Sequence, residues 1–124
     1  TWHSAGLLWN IRPKETDTLM IQHTRHLAET LEKETGMSTG WINNGGVFIA
    51  SNKDRFDEIK HLHNVGKSLG VSTSILSKTN LGDIYPFMNV DDLLGALHCE
   101  HDGSIDPTSF TNVTVVPLFT SSIL

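Results

Sequence analysis

The sequence has one cysteine among its 124 residues, so no disulfide can close within it. A lone thiol fits a reducing compartment. No apolar run approaches the roughly 20 residues that a membrane-spanning helix needs. Basic clusters are missing as well. Nine lysines and arginines stand against 14 acidic residues, for a formal net charge of −5, which argues against nucleic acid as a partner. Nowhere does the G-x-G-x-x-G dinucleotide fingerprint occur. The pair Gly45-Gly46 has the wrong spacing, and no helix is expected directly after it. Arginine is scarce: of Arg12, Arg25 and Arg55, the last two are expected on helix surfaces, so none is assigned to a substrate carboxylate. There is neither an initiator Met nor a visible signal or transit peptide. The chain opens in mid-motif and reads as part of a longer protein, so the missing targeting segment says nothing about location.

What is present suffices for a core. Hydrophobic residues make up 38% of the chain, and its length suits one domain or less. Pro13 separates an opening apolar patch (Leu7, Leu8, Ile11) from a helix capped by Thr16 or Asp17 and stopped by Gly36. That helix should bury Met20, Leu27, Ala28 and Leu31 and pair Glu29 with Lys33 on its wet face. Residues 41–50 read as strand, interrupted at Asn43-Asn44-Gly45-Gly46, with Val47-Phe48-Ile49-Ala50 its strongest part. Ser51 or Asn52 caps a second helix whose buried face is Phe56, Ile59, Leu62, Val65 and Leu69, and Gly70 ends it. Residues 71–76 form a short strand. Ser77 caps a short helix, weakened by Gly82 and closed by Pro86, and residues 93–99 form another strand. Asp102-Gly103 is read as a turn, and Asp106-Pro107 as a helix start. From Val113 onward the β-branched run, Pro117 and an uncharged end do not look helical, so residues 113–124 are expected to be an altered, poorly anchored tail. Two long helices flanking antiparallel-looking strands make a mixed α/β unit.

Several side chains invite a chemical reading. His23 and His26 lie three apart on the first helix, but no third metal ligand is evident. His61 and His63 point in different directions. In His98-Cys99-Glu100-His101, strand alternation puts His98 and Glu100 on one face and Cys99 and His101 on the other, so no metal site is expected. The opening Thr1-Trp2-His3-Ser4-Ala5-Gly6-Leu7 is different. An indole sits beside an imidazole whose neutral nitrogen can be nucleophile, ligand or hydrogen-bond partner. The small residues after it let the backbone approach something flat.

This opening, with Leu8 and Trp9, resembles the segment of the sarcosine and dimethylglycine dehydrogenase family in which a histidine carries covalent FAD. The resemblance continues through Glu34-Thr35-Gly36, Thr39-Gly40-Trp41-Ile42, Gly45-Gly46-Val47-Phe48-Ile49-Ala50-Ser51, Tyr85-Pro86, Met88-Asn89-Val90-Asp91-Asp92-Leu93, His101-Asp102-Gly103 and Asp106-Pro107, and ends near Asn112. Gly40-Trp41 and Val47-Phe48-Ile49-Ala50 look more like the sarcosine branch. The resemblance implies that residues 1–112 are part of a D-amino-acid-oxidase-like FAD-binding fold, with a portion of its antiparallel-sheet substrate domain.

The function so implied is oxidative N-demethylation. A hydride passes from the N-methyl carbon of sarcosine, an N-methyl amino acid, to flavin, and hydrolysis of the imine gives glycine and a one-carbon unit. His3 would carry the FAD, with Thr1, Trp2, Ser4, Ala5, Gly6 and Leu7 around it. The same resemblance implies electron-transfer flavoprotein as partner, a mitochondrial-matrix location, and tetrahydrofolate only in a C-terminal domain of the full-length parent. Dimethylglycine is the alternative substrate. A non-catalytic alternative is a relative similar to the regulatory subunit of pyruvate dehydrogenase phosphatase, which has no need of a flavin-linking histidine.

Overall fold

The structure, a computed structural model, describes residues 1–120. In chain order it contains β1 (Leu7–Leu8), α1 (Glu15–Thr35), β2 (Gly46–Ala50), α2 (Lys53–Ser68), β3 (Thr73–Ser77), α3 (Lys78–Ile84), β4 (Gly95–Cys99), β5 (Gly103–Ser104) and α4 (Pro107–Thr120). The mixed α/β architecture expected from the sequence is present, and both sheets are antiparallel.

Helix α1 ends as expected. Gly36 takes the left-handed conformation at φ 68° and donates its N–H to the Glu32 carbonyl at 3.1 Å. Its start differs from the expected Thr16 or Asp17 cap. The capping position is Lys14, whose side chain makes no cap hydrogen bond. Buried Thr18 reaches back instead: its hydroxyl accepts the Arg12 N–H at 3.0 Å and donates to the Arg12 carbonyl at 3.2 Å. Ala28 is buried and Leu27 and Leu31 are half-buried, but Met20 is 65% exposed and leaves the expected stripe. Glu29 pairs back to Arg25 at 3.3 Å rather than forward to Lys33.

The larger sheet has the order β2-β4-β3, with Phe48, Leu97 and Ile75 in one cross-strand row and Ile49, Ala96 and Leu76 in the next. Successive rows face opposite sides. On one side α2 lays down the expected face of Phe56, Ile59, Leu62, Val65 and Leu69 against Ile11, Ala50, Val71, Leu97 and Cys99. On the other side Leu81 of α3 closes a second cluster with Leu76, Leu93 and Ala96. Full burial of a side chain such as Ile59 or Leu97 contributes about 1.5–3 kcal/mol. Both helices carry their expected caps: Asn52 accepts the Arg55 N–H at 2.9 Å, and Ser77 accepts the Asn80 N–H at 3.2 Å. The expected strand over 41–50 narrows to Gly46–Ala50, preceded by an isolated bridge between Ile42 and Ser104.

The smaller sheet pairs β1 with β5, Leu7 opposite Ser104 and Leu8 opposite Gly103. Asp102-Gly103 is therefore no exposed turn. Asp102 is 1% exposed and Gly103 already belongs to β5. Asp106 caps α4 through Ser109, whose hydroxyl and N–H hold the Asp106 carboxyl below its ordinary range. Helix α4 runs on to Thr120, against the expectation that helix ends near Val113. The β-branched residues each cost at most about 0.7 kcal/mol in helix, and burying Val113 completely outweighs that. The Thr111 and Thr114 hydroxyls are satisfied on the Pro107 and Thr111 carbonyls, both at 2.8 Å. Residues 121–124 of the expected tail lie outside the described residues.

Candidate functional site

Residues 1–4 form a turn in which the Ser4 N–H donates to the Thr1 carbonyl at 3.0 Å. Within it the Trp2 and His3 rings lie against each other, with centroids 3.6 Å apart and planes inclined by 31°. Trp2 is 73% exposed, and Thr1, His3, Ser4 and Ala5 are exposed as well. The imidazole is thus presented at the surface on an aromatic backing rather than consumed by the core. Gly6 follows at φ +64°, and its carbonyl accepts the Ile105 N–H at 2.8 Å. A Cβ on Gly6 would stand 2.5 Å from the Ile105 carbonyl oxygen. Its missing side chain therefore serves the close approach of residues 105–107, and room for a flat ligand falls to Ser4 and Ala5.

A cavity of about 220 Å³ opens beside this turn, lined by Thr1, Ser4, Gly6, Leu7, Leu8, Thr24, Ile105, Pro107, Phe110 and Thr111. Four of the expected site residues (Thr1, Ser4, Gly6 and Leu7) meet there. Trp2, His3 and Ala5 sit on the same turn outside the lining. The cavity is lined by apolar Leu8, Ile105, Pro107 and Phe110 and by polar Thr1, Ser4, Thr24 and Thr111, the last two with their hydroxyls donated to the Met20 and Pro107 carbonyls. A planar heteroaromatic with polar edges suits such a lining.

The remaining histidines are accounted for differently. His23, His26 and His61 are exposed on helix surfaces. His63 faces the sheet, with Nδ1 2.8 Å from Thr73 Oγ1, and burial, aided by the Lys67 charge, lowers its pKa. His98 and Glu100 line a recess of about 200 Å³ with Ser72, Thr73 and Ser74. Cys99 packs into the core on the α2 side, where burial, with the Asp102 carboxylate adding to it, pushes the thiol up to about 12. Among the described residues no three histidine, cysteine, aspartate or glutamate side chains are grouped to hold a metal.

Two buried polar residues escaped the sequence reading. Asn10 and Asp102 are each 1% exposed, and Asp102 Oδ1 accepts both the Asn10 backbone N–H at 2.7 Å and its side-chain amide at 3.1 Å. The available signal was a lone asparagine between Trp9 and Ile11, a polar residue inside an apolar stretch.

Residues 1–114 match the FAD dependent oxidoreductase (DAO) family. The chain belongs to that family. Human mitochondrial sarcosine dehydrogenase is 52% identical over 86% of the chain and 12% of its own length. Rat mitochondrial dimethylglycine dehydrogenase is 31% identical over 90% of the chain and 13% of its own length. The mouse pyruvate dehydrogenase phosphatase regulatory subunit is 29% identical over 82% of the chain and 12% of its own length. The chain thus spans about an eighth of these relatives. Glycine oxidase from Bacillus cereus superposes with a TM-score of 0.74 at 22% identity, covering 90% of the chain and 31% of that protein, which shows the shared fold. Among the described residues no helix is long and apolar enough to cross a membrane.

Proposed function

We propose that this chain is the flavin-linking portion of an FAD-dependent sarcosine dehydrogenase, with His3 as the covalent attachment point. The observation that carries the reading is the exposed His3 imidazole, backed by Trp2, on a turn whose Thr1 and Ser4 line the cavity between β1 and the start of α4. Bound FAD would supply the two-electron acceptor that lets an N-methyl amino acid be oxidised at its N-methyl carbon, the product imine hydrolysing to glycine and a one-carbon unit. This chain contributes attachment and orientation. His3 presents a nucleophilic nitrogen, Ser4 and Ala5 leave the turn uncrowded, and the Thr1 and Ser4 hydroxyls offer hydrogen bonds at the cavity rim. Leu8, Ile105, Pro107 and Phe110 make the cavity's apolar side.

Sarcosine is favoured over dimethylglycine by the higher identity, 52% against 31%. These relatives are mitochondrial proteins, which supports a mitochondrial location. The proposal extends to the matrix as the compartment, to electron-transfer flavoprotein as electron acceptor, and to tetrahydrofolate acting only in a part of the parent outside this chain. The reading is tested by flavin fluorescence on a denaturing gel of the flavin-loaded protein. Wild type should keep its fluorescence on the polypeptide, and His3→Ala should lose it to acid or denaturant. Fluorescence retained by His3→Ala refutes the assignment.

A further inference from the structure

The buried pair Asn10 and Asp102 takes part in none of the chemistry above, yet it lies at the end of the strand that leads back to His3. Asp102 offers Oδ1 to two donors, both from Asn10, at 2.7 and 3.1 Å. The Asn10 amide also donates to the His101 carbonyl. The Asp102 backbone is held separately, its carbonyl accepting the Gly45 N–H at 2.9 Å. Oδ2 makes no well-formed hydrogen bond among the described residues, though the Cys99 thiol is close enough to interact with the carboxylate, and Gly46 closes over Oδ2 so tightly that a Cβ there would come within 2.6 Å. A buried carboxylate with one oxygen unsatisfied is an expensive way to stabilise a fold. Groups of this kind are best attested as devices that select one register.

Register is what β1 lacks by itself. The strand has two residues, and Leu7 is 53% exposed while Leu8 is half-buried. A pattern that weak specifies pairing poorly, and a slip of one residue would turn every side chain to the opposite face. The observed ladder ties Leu8 to Gly103 and Leu7 to Ser104, and the Ile105 N–H donates to the Gly6 carbonyl. The Asn10–Asp102 contact joins the chain just after β1 to the residue just before β5. We propose that Asp102, acting through Asn10, is a positioning residue that sets the register of β1, the strand that follows the His3 turn, and thereby governs how readily His3 becomes linked to flavin. The linkage would exchange an imidazole N–H and a flavin methyl C–H for one N–C bond, with the two hydrogens and two electrons left on the flavin and passed on to dioxygen. The inference rests on the proposed role of His3.

The test compares wild type, Asp102→Ala, Asn10→Ala and Asp102→Asn in the full protein. It measures the rate of covalent flavin incorporation after FAD is added to the apo form, and amide hydrogen exchange at Ile105 and across β4. In Asp102→Ala and Asn10→Ala, exchange at Ile105 should rise and incorporation should slow by about tenfold or more, the loss of a charge-assisted hydrogen bond, while β4 stays protected. Asp102→Asn keeps the Oδ1 acceptor without its charge and should incorporate flavin about threefold or more faster than Asp102→Ala. Asn10→Ala leaves the carboxylate in place, so it tests the link even if Asp102→Ala fails to fold. Incorporation unchanged in Asn10→Ala overturns the proposal, whatever the exchange at Ile105. So does an Asp102→Asn protein as slow as Asp102→Ala. If wild type carries no adduct on His3, the functional reading fails instead, and the exchange measurements still decide whether the pair sets the register.

Discussion

Glycine-to-alanine substitution should have opposite signs at two positions of this fold. Alanine removes backbone freedom from the unfolded chain, which alone would stabilise by about 0.5–1 kcal/mol. At Gly82, inside α3, the nearest atom to a new Cβ is Val90 Cγ2 at 3.7 Å, an ordinary contact. Gly82→Ala should therefore stabilise by up to about 1 kcal/mol. At Gly46, at the start of β2, the new Cβ would lie 2.6 Å from Asp102 Oδ2 and 2.9 Å from Asp102 Cβ. Asp102 cannot yield. It is buried, its Oδ1 is held by Asn10, and its carbonyl is held by Gly45. Either β2 must move or the carboxylate must give up its partners, a cost of about 1–3 kcal/mol for overpacking. That exceeds the entropic gain, so Gly46→Ala should destabilise by roughly 1–2 kcal/mol. Urea unfolding of the folded protein reads both effects as midpoint shifts at unchanged slope. A Gly46→Ala midpoint at or above wild type would refute the tight packing around Asp102.

Asn52→Ala should cost about 1 kcal/mol by removing the cap on the Arg55 N–H, a loss visible in the same unfolding midpoint. Because burial keeps the His63 pKa below 6.5, the unfolded chain takes up the proton first as pH falls. Stability should then hold above pH 6.5 and decline below it, and His63→Asn should flatten that decline in melting temperatures measured across the range. The Cys99 thiol, pushed up from 9.0 to about 12, should resist alkylation in the folded protein and react at once in denaturant. With the proton retained only in the folded state, stability should fall as pH rises from 9.0 toward 12.

The parts of this fold legible in the sequence are those governed by local rules. The α2 face from Phe56 to Leu69, the Asn52, Ser77 and Asp106 caps and the Gly36 stop all follow from periodicity and turn chemistry within a few residues. The misreadings share a tertiary cause. Asp102 looked like a turn residue because Asp-Gly usually is one, yet Asn10, 92 residues away in sequence, draws it into the interior. Helix α4 continues past Val113 because that side chain is completely buried, which outweighs its weak helix propensity. Met20 fits the apolar spacing of α1 but stands beside Arg12 and Asp17 at an open surface. At the site, the residues of Thr1–Leu7 by themselves only allow a ligand, and the flavin reading of the segment comes from the family resemblance. The cavity beside it could not be foreseen, because Ile105, Pro107, Phe110 and Thr111 come from the far end of the chain.

The most direct test of the whole account is mass spectrometry of the flavin-loaded protein after proteolysis, directed at the peptide that contains Trp2 and His3. The account predicts a flavin adduct on that peptide, with fragmentation placing it on the His3 imidazole and its disappearance in His3→Ala. An unmodified Trp2-His3 peptide in protein that retains stoichiometric flavin, or an adduct on any other residue, would contradict it.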